Sequence, residues 1–186
     1  MQKRVLLLTG TLGVGKTTVL IKTVDLLKAN GITVGGMISR EAREGNTRVG
    51  FEIMDLTNSK HGWLSHINQR TGQQVGKYHV NIDDLDNIGA KAIADAVEKK
   101  DIIAIDEIGP MELFSRNFKI SVIKALDSQK MVLSVAHLKA KDPLITQAKQ
   151  REDAEIFIVT LANRNNLPEK LKNKALESVM ATQSPK

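Results

Sequence analysis

Short apolar runs and stretches with helical apolar spacing follow one another along most of the chain. Strands are predicted over residues 4–9, 32–40, 47–56, 101–106, 131–136 and 155–160, and helices over 16–30, 83–99, 117–128, 143–150 and 164–180. Parallel strands need long crossover connections, which are usually helices, and here helices lie between most of the strands. The pattern therefore predicts a three-layer α/β fold, with a mainly parallel sheet covered by helices on both faces.

Two segments depart from this alternation. Glu44-Gly45-Asn46 separates the second and third strands and has the composition of a hairpin turn, so these strands are expected to pair as an antiparallel β-hairpin insertion. Residues 57–82 have a weak pattern, with possible short strands at 62–66 and 77–80, and are predicted to form an irregular insertion. The sequence leaves the role of this insertion open, and the tail from residue 181 is expected to fray.

The composition sets further limits. In a chain of 186 residues, an apolar content of 41% is enough for one core, and without repeats or linkers residues 1–186 are predicted to form a single domain. The absence of cysteine excludes disulfides, thiolate metal sites and cysteine nucleophiles. No apolar run approaches the roughly 18 residues that cross a bilayer, and the first residues lack a signal-peptide pattern. A cytoplasmic protein without membrane association is expected.

The net charge bears on the choice of partner. At +6, from 27 Lys plus Arg against 21 Asp plus Glu, the chain can attract nucleic acid or a polyphosphate ligand. The basic residues are spread along the chain, and they form no cluster with aromatic residues. This distribution favours a nucleotide over nucleic acid as the partner, and a monomer is expected.

The residues from Gly10 to Thr17, Gly-Thr-Leu-Gly-Val-Gly-Lys-Thr, match the P-loop pattern G-x-x-x-x-G-K-[ST] between a predicted strand and a predicted helix. Its glycines let the backbone curl around phosphate so that N–H groups and the helix N-terminus face the anion. Lys16 is expected to neutralise the outer phosphates and Thr17 to hold Mg²⁺. The predicted nucleotide-binding residues are Gly10, Thr11, Leu12, Gly13, Val14, Gly15, Lys16, Thr17 and Thr18.

Two adjacent carboxylates follow the apolar run at 102–105. Asp106 is predicted to end this strand at the edge where ligands of open α/β sheets bind, and to hold Mg²⁺ through water. Glu107 is expected to orient or deprotonate the attacking water as the catalytic glutamate, with Lys16 as the second catalytic residue. The pair predicts the P-loop class in which another strand separates the P-loop strand from the Asp strand.

The segment from Asp106 to Ser115, Asp-Glu-Ile-Gly-Pro-Met-Glu-Leu-Phe-Ser, closely resembles a signature of the nucleoside-triphosphatase family whose vertebrate member is the cancer-related nucleoside-triphosphatase. Segments 36–43, 48–51 and 160–165 resemble other parts of that family in the same order, so the resemblance covers nearly the whole chain. It implies a recombinase-like P-loop core and slow hydrolysis of ATP, GTP, CTP and UTP or TTP. Residues 37–39 and 57–76 depart from the family pattern.

Four more residues are candidates for phosphate or base contacts. Arg40 and Arg43 are either charge stabilisers at the γ-phosphate or part of a solvated hairpin edge, and strand alternation allows at most one to point inward. Asn163 and Arg164 follow the last predicted strand, where P-loop proteins often contact the base. Arg164 is a candidate for stacking on the base, and Asn163 is also a candidate helix N-cap.

The remaining ionisable residues have structural interpretations. Glu112 is either an acid that supports the catalytic residues or a helix cap or structural residue, and the second interpretation is preferred because one catalytic glutamate is sufficient for hydrolysis. The four histidines have no metal-ligand spacing and are interpreted as surface or satisfied residues. Two alternatives to hydrolysis stay open: a small-molecule or nucleotide kinase, although residues 57–82 contain only Arg70 for a lid, and a nucleotide-switched module that binds RNA or protein.

Overall fold

Nine strands form one mixed sheet in the computed structural model, which describes residues 2–183. The strands are β1 (Val5–Thr9), β2 (Val34–Glu44), β3 (Thr47–Asp55), β4 (His61–His66), β5 (Gln74–Val75), β6 (Tyr78–Val80), β7 (Ile102–Ile108), β8 (Met131–Ala136) and β9 (Ala154–Ile158). Their order across the sheet is β5-β6-β4-β3-β2-β7-β8-β1-β9. The strands from β2 to β9 in this order are parallel, whereas β3, β4, β6 and β5 continue the sheet in antiparallel pairs.

Helices cover both faces of the parallel part. They are α1 (Lys16–Ala29), α2 (Ile82–Asp84), a π-helical turn (Leu85–Ala90), α3 (Lys91–Lys99), α4 (Arg116–Asp127), α5 (Pro143–Gln150) and α6 (Leu167–Gln183). In β1, Leu6 and Leu8 pack with α1 and α6, whereas Val5 and Leu7 pack with α3, α4 and α5. Successive side chains of a strand point to opposite faces, so the same strand supplies both cores. The predicted three-layer α/β fold is confirmed.

Residues 57–82 differ from the prediction in part. The possible short strands at 62–66 and 77–80 are confirmed as β4 and β6. The segment is nevertheless not an irregular insertion, because β4, β5 and β6 extend the sheet outward from the hairpin of β2 and β3. The pairing of β4 with β3 shifts register between Phe51 and Glu52. Short strands leave little alternation in the sequence, and pairing with β3 and with one another supplies the order that the local pattern shows only weakly.

The parallel strands fix the arrangement of the predicted site. β8 pairs with β1 on one side and with β7 on the other, so the expected strand between the P-loop strand and the Asp strand is confirmed. β7 runs on to Ile108, and the prediction that Asp106 is the last residue of its strand is wrong. The ladder between β7 and β8 shifts register between Ile105 and Ile108. Asp106 and Glu107 therefore lie in an irregular part of the strand.

The last helix begins and ends later than predicted. The last helix, α6, starts at Leu167, so residues 160–166 form a loop rather than the first turn of the helix. It continues to Gln183, beyond the predicted start of fraying, and residues 184–186 lie outside the described part of the chain. Within residues 2–183, no helix combines the length and apolar character required to cross a membrane.

Candidate nucleotide site

The loop between β1 and α1 has backbone geometry that only its glycines accept easily. Gly15 precedes α1 with φ of 104°, in the left-handed region, and a Cβ at Gly10 would lie 2.7 Å from the Val159 carbonyl oxygen. α1 has no side-chain cap and no acidic residue in its first turn. The first N–H groups of the helix are therefore available to an anion, as phosphate binding by this motif requires.

The other P-loop side chains have distinct environments. Lys16 folds back over the loop, where its Nζ donates to the carbonyl oxygens of Gly10 and Thr11, each at 3.1 Å. Leu12 is 87% exposed at the tip of the loop, and Val14 is buried in the core beneath it. Backbone groups and the Lys16 ammonium are thus the parts of this loop that suit phosphate.

Asp106 is the most deeply buried acid near the loop, at 1% exposure. Burial raises its pKa to about 7, and hydrogen bonding from the Thr17 side chain and from the Ser39 backbone N–H acts in the opposite direction. Its Oδ2 atom is buried and has no hydrogen-bond partner among the described residues. An unpaired carboxylate oxygen beside a threonine hydroxyl is a donor set that suits Mg²⁺.

This donor set is small. Within residues 2–183, no group of three or more His, Asp or Glu side chains is arranged to hold a metal ion. Mg²⁺ usually keeps several waters and takes one or two protein carboxylates plus substrate phosphates. Thr17 and Asp106 therefore fit an ion that the nucleotide brings to the site.

Glu107 and Glu112 approach each other next to Asp106. A Cβ on Gly109 would lie 2.6 Å from Glu107 Oε1 and 3.0 Å from Glu112 Oε2, so both carboxyl groups pack against this glycine. Burial raises the pKa of Glu107, whereas the Lys16 charge lowers it. Burial raises the pKa of Glu112 to about 8, and the neighbouring charges of Glu107 and Asp106 add to that shift. Glu112 is therefore mainly protonated at neutral pH.

Glu112 is not a cap for α4. It lies in a single 3-10 turn, Glu112–Phe114, with 4% of its surface exposed. The residue that caps α4 is Ser115, whose Oγ accepts the N–H of Phe118 at 2.9 Å. The alternative interpretation of Glu112 as a structural acid agrees with its burial.

A cavity of about 290 Å³ brings the predicted catalytic residues together. It is lined by Gly10, Thr11, Leu12, Lys16, Glu107, His137, Leu138 and Lys139. A larger cavity of about 460 Å³ is lined by residues such as Gln2, Arg4 and Asp153, and it contains no predicted site residue. The smaller cavity is the functional candidate, because phosphate-binding backbone and a partly buried acid meet there.

The sequence interpretation missed His137, which lines this cavity. It follows β8 directly, and its Nδ1 accepts the backbone N–H groups of Lys139 at 3.3 Å and Ala140 at 3.0 Å. The available signal was its position after an apolar strand at the ligand-binding edge of the sheet. Metal-ligand spacing was the wrong criterion for this residue.

The loop after β9 reaches the P-loop through Arg164. Its Nη1 donates to the Val14 carbonyl at 3.4 Å, and a Cβ on Gly15 would lie 3.6 Å from Arg164 Cδ. Asn163 instead holds its own loop, since its Oδ1 accepts the Thr160 N–H at 2.8 Å and its Nδ2 donates to the Ile158 carbonyl at 2.9 Å. The alternative of Asn163 as the N-cap of the last helix is wrong, because α6 begins four residues later.

Neither hairpin arginine lines the cavity. Arg43 donates to Glu41 and to the Asn46 carbonyl, both at 3.1 Å, which agrees with the solvated hairpin edge. Arg40 is exposed and lies opposite Glu52, and its side chain has no hydrogen bond within the described residues. It lies two residues beyond Ile38, which packs on the α1 side of the sheet, so alternation places Arg40 on that same side.

A glycine-rich loop at a helix N-terminus, a lysine above it and a pair of acids one strand away, one buried and one partly buried, define a P-loop nucleotide-binding protein. The family model described as NTPase matches residues 5–172. Nucleoside-triphosphatase THEP1 of Thermofilum pendens is 44% identical over 166 residues, which cover 89% of this chain and 91% of that protein. Its counterpart in Methanosarcina acetivorans is 44% identical over 172 residues, or 92% and 96% of the two chains. The chain belongs to the NTPase family.

Solved structures agree with this assignment. The crystal structure of THEP1 from Aquifex aeolicus has a TM-score of 0.79 and 29% identity, over 90% of this chain and 96% of that one. The solution structure of a human cancer-related nucleoside triphosphatase has a TM-score of 0.78 and 30% identity, over 98% and 99%. The resemblance found in the sequence and the P-loop fold it implied are both confirmed.

Proposed function

We propose that this protein hydrolyses nucleoside triphosphates to diphosphate and phosphate, with Mg²⁺ as cofactor and water as acceptor. The observation that carries the proposal is the shared cavity of Lys16, the P-loop backbone and the partly buried Glu107. A phosphate-binding loop alone would only bind the nucleotide, whereas an acid in the same cavity can act on water.

Each group has a defined part in this reaction. The N–H groups of the P-loop and of the first turn of α1 bind the phosphates, and Lys16 exchanges its loop carbonyls for phosphate oxygens. Thr17 and Asp106 would hold Mg²⁺, which when bound supplies positive charge next to the phosphates. Glu107 orients water towards the terminal phosphorus and takes its proton, and the raised pKa of this buried acid improves it as a base.

The site also supports slow turnover and broad base tolerance over ATP, GTP, CTP and UTP or TTP. No arginine lines the cavity, and an arginine at the transferring phosphoryl group is worth a factor of about 10³–10⁵ in related NTPases. Arg164 is exposed beside the P-loop, where its guanidinium can stack on a base. Stacking tolerates every base because each has a π-face.

The strands β4 to β6 argue against the kinase alternative. A kinase lid closes over its acceptor, whereas these residues are hydrogen-bonded into the sheet.

The nucleotide-switched module predicts a rate of hydrolysis that rises when a partner is added. A monomeric cytoplasmic protein, whose partner is a nucleotide in preference to nucleic acid, stays part of this proposal.

Phosphate release tests the proposal. The protein is incubated with ATP, GTP, CTP, UTP or TTP, with Mg²⁺ or with EDTA, and Lys16→Ala serves as the control for a contaminating phosphatase. We expect Mg²⁺-dependent release from all five nucleotides and at least about 100-fold less from the variant. Formation of diphosphate and a phosphorylated product from an added acceptor, without free phosphate, would establish a kinase, and release that requires an added macromolecule would establish the switch.

A further inference from the structure

The residue after β8 is fixed against the strand that carries the catalytic acid. The backbone N–H of His137 donates to the carbonyl of Ile108 at 3.1 Å, and Ile108 follows Glu107 directly. Lys149 holds the next turn of the loop, since its Nζ donates to the carbonyls of His137 at 2.8 Å and of Leu138 at 3.3 Å. His137 is therefore held at a defined position beside the acid.

The hydrogen bonds of the ring determine its tautomer. Nδ1 accepts two backbone N–H groups, from Lys139 and Ala140, and a backbone N–H can only donate. The proton of the neutral imidazole must therefore be on Nε2. Burial lowers the pKa of His137, and the charges of Lys16 and Lys149 lower it further. The ring is thus a neutral hydrogen-bond donor at neutral pH.

His137 lines the cavity together with Lys16 and Glu107, and the mechanism above gives it no part. We propose that His137 is a catalytic residue whose Nε2–H donates a hydrogen bond to the terminal phosphoryl group of the bound triphosphate. This inference rests on the proposed function. A diphosphate lacks that group, so the contact distinguishes the substrate from the product.

The expected contribution is that of one preorganised donor. Removing a single donor from an oxyanion site costs a factor of about 10²–10³ in kcat, and a donor to an already charged phosphate is expected at or below the lower end of that range. Because the imidazole is neutral, it places no second cation next to Lys16. The charge around Glu107, the residue that activates water, therefore stays unchanged. His137 is thus expected to act on the phosphoryl group without changing Glu107.

Two substitutions separate the role of the Nε2–H donor from the structural role of the ring. His137→Asn retains an oxygen near the position of Nδ1, so it can still accept the loop N–H groups, but nothing remains at Nε2. His137→Gln places its amide nitrogen near the position of Nε2 and loses the acceptor at Nδ1. His61→Asn, at an exposed histidine that begins β4, is the matched control.

The measurements are kcat for Mg·ATP, the Kd values of ADP and of a non-hydrolysable ATP analogue, and Tm. For His137→Asn we expect kcat to fall about 10- to 100-fold, the analogue to bind at least about 5-fold more weakly, and ADP binding and Tm to stay close to those of the unchanged protein. His137→Gln should recover part of kcat although its Tm is lower. His61→Asn should match the unchanged protein.

Two results would overturn the inference: an unchanged kcat in His137→Asn, or equal weakening of ADP and the analogue, as a merely structural role predicts. These failures differ from failure of the proposed function, in which the unchanged protein itself releases no phosphate. In that case the comparison of ADP with the analogue still decides whether His137 contacts the terminal phosphate.

Discussion

Arg164 donates a hydrogen bond to the carbonyl of Val14 at 3.4 Å, across 150 residues of sequence. The contact joins the loop after β9 to the P-loop, which is otherwise held by β1 and α1. Its guanidinium is exposed at this junction, so one face is available to a ligand. We therefore propose that the loop after β9 is part of the nucleotide site.

Replacing Arg164 tests this role. Arg164→Ala is expected to raise KM about 3- to 10-fold for ATP, GTP and CTP alike, because a stacked cation contributes a similar free energy on every base. The effect on kcat should be less than about 3-fold, since the proposed contact is with the base rather than with the reacting phosphate. Steady-state kinetics with the three nucleotides checks this, and a KM that rises for one base only would show specific recognition instead of stacking.

The two hairpin arginines are expected to differ. Arg43 is already bonded to Glu41 and Asn46, and Arg43→Ala should leave kcat within about 2-fold and cost at most ~1 kcal/mol of stability, as is usual for exposed ion pairs. Arg40 has no such partner and shares the α1 side of the sheet with Ile38. If it reaches the terminal phosphate when substrate binds, Arg40→Ala lowers kcat by about 10-fold or more.

A single-turnover assay of both variants decides between the two interpretations. Equal, near-normal rates would assign both arginines to the solvated hairpin edge. A larger loss in Arg43→Ala than in Arg40→Ala would contradict the assignment made here.

Stability should depend on pH through Glu112. Its pKa rises from the ordinary value of 4.5 to about 8 in the folded state, chiefly because it is buried. Between these pH values the folded protein keeps a proton that the unfolded chain releases, so this group makes stability fall as pH rises. Glu112→Gln cannot titrate and should lack that fall.

The comparison is made by thermal unfolding at pH 5, 7 and 9 without nucleotide. The Tm of Glu112→Gln relative to the unchanged protein should increase with pH, and each ~1 kcal/mol of difference should appear as roughly 2–4 °C. A difference that stays constant with pH, or that shrinks, would show that Glu112 is ionised in the folded state.

Gly36 is expected to be the least replaceable glycine of the parallel sheet. It lies in β2 with φ of 111°, and an added Cβ would lie 2.0 Å from the Ala104 carbonyl oxygen in β7. Gly36→Ala should therefore cost at least ~3 kcal/mol, because both the backbone angle and the neighbouring strand oppose it. Gly45→Ala, with φ of 57° and open space around its Cβ, should cost only about 1 kcal/mol. Urea unfolding measures both costs, and equal values would contradict this reasoning.

Where the local sequence pattern and the tertiary structure agree, the sequence alone was sufficient to predict the element. The bounds of β8 and α5 match those predicted, because an apolar run and a Pro-initiated helix are signals within single segments. The P-loop was identified for the same reason, since its glycines, lysine and threonine act through local backbone geometry. The Asp106-Glu107 pair could be identified because it directly follows an apolar run that predicts a buried strand.

Features that depend on contacts between segments far apart in sequence could not be predicted in full from the sequence. The sequence indicated β4 and β6 only as possible short strands, whereas β5 and the pairing of all three into the sheet depend on contacts between strands. The start of α6 depends on how Asn163 closes its loop. His137 was missed because its role depends on β8 lying between β1 and β7, so that residues far apart in sequence share one cavity. The direction of the Arg43 side chain is likewise set by its hydrogen-bond partners rather than by strand alternation.

The most direct test of the account is single-turnover phosphate release by Glu107→Gln, with the Kd of a non-hydrolysable ATP analogue measured on the same preparation. The amide keeps the size of the carboxyl group but cannot accept a proton from water. The account predicts that release falls about 10²–10⁴-fold while the Kd changes by less than about 3-fold. Release at the normal rate, or loss of release together with loss of binding, would contradict the assignment of Glu107 as the residue that activates water.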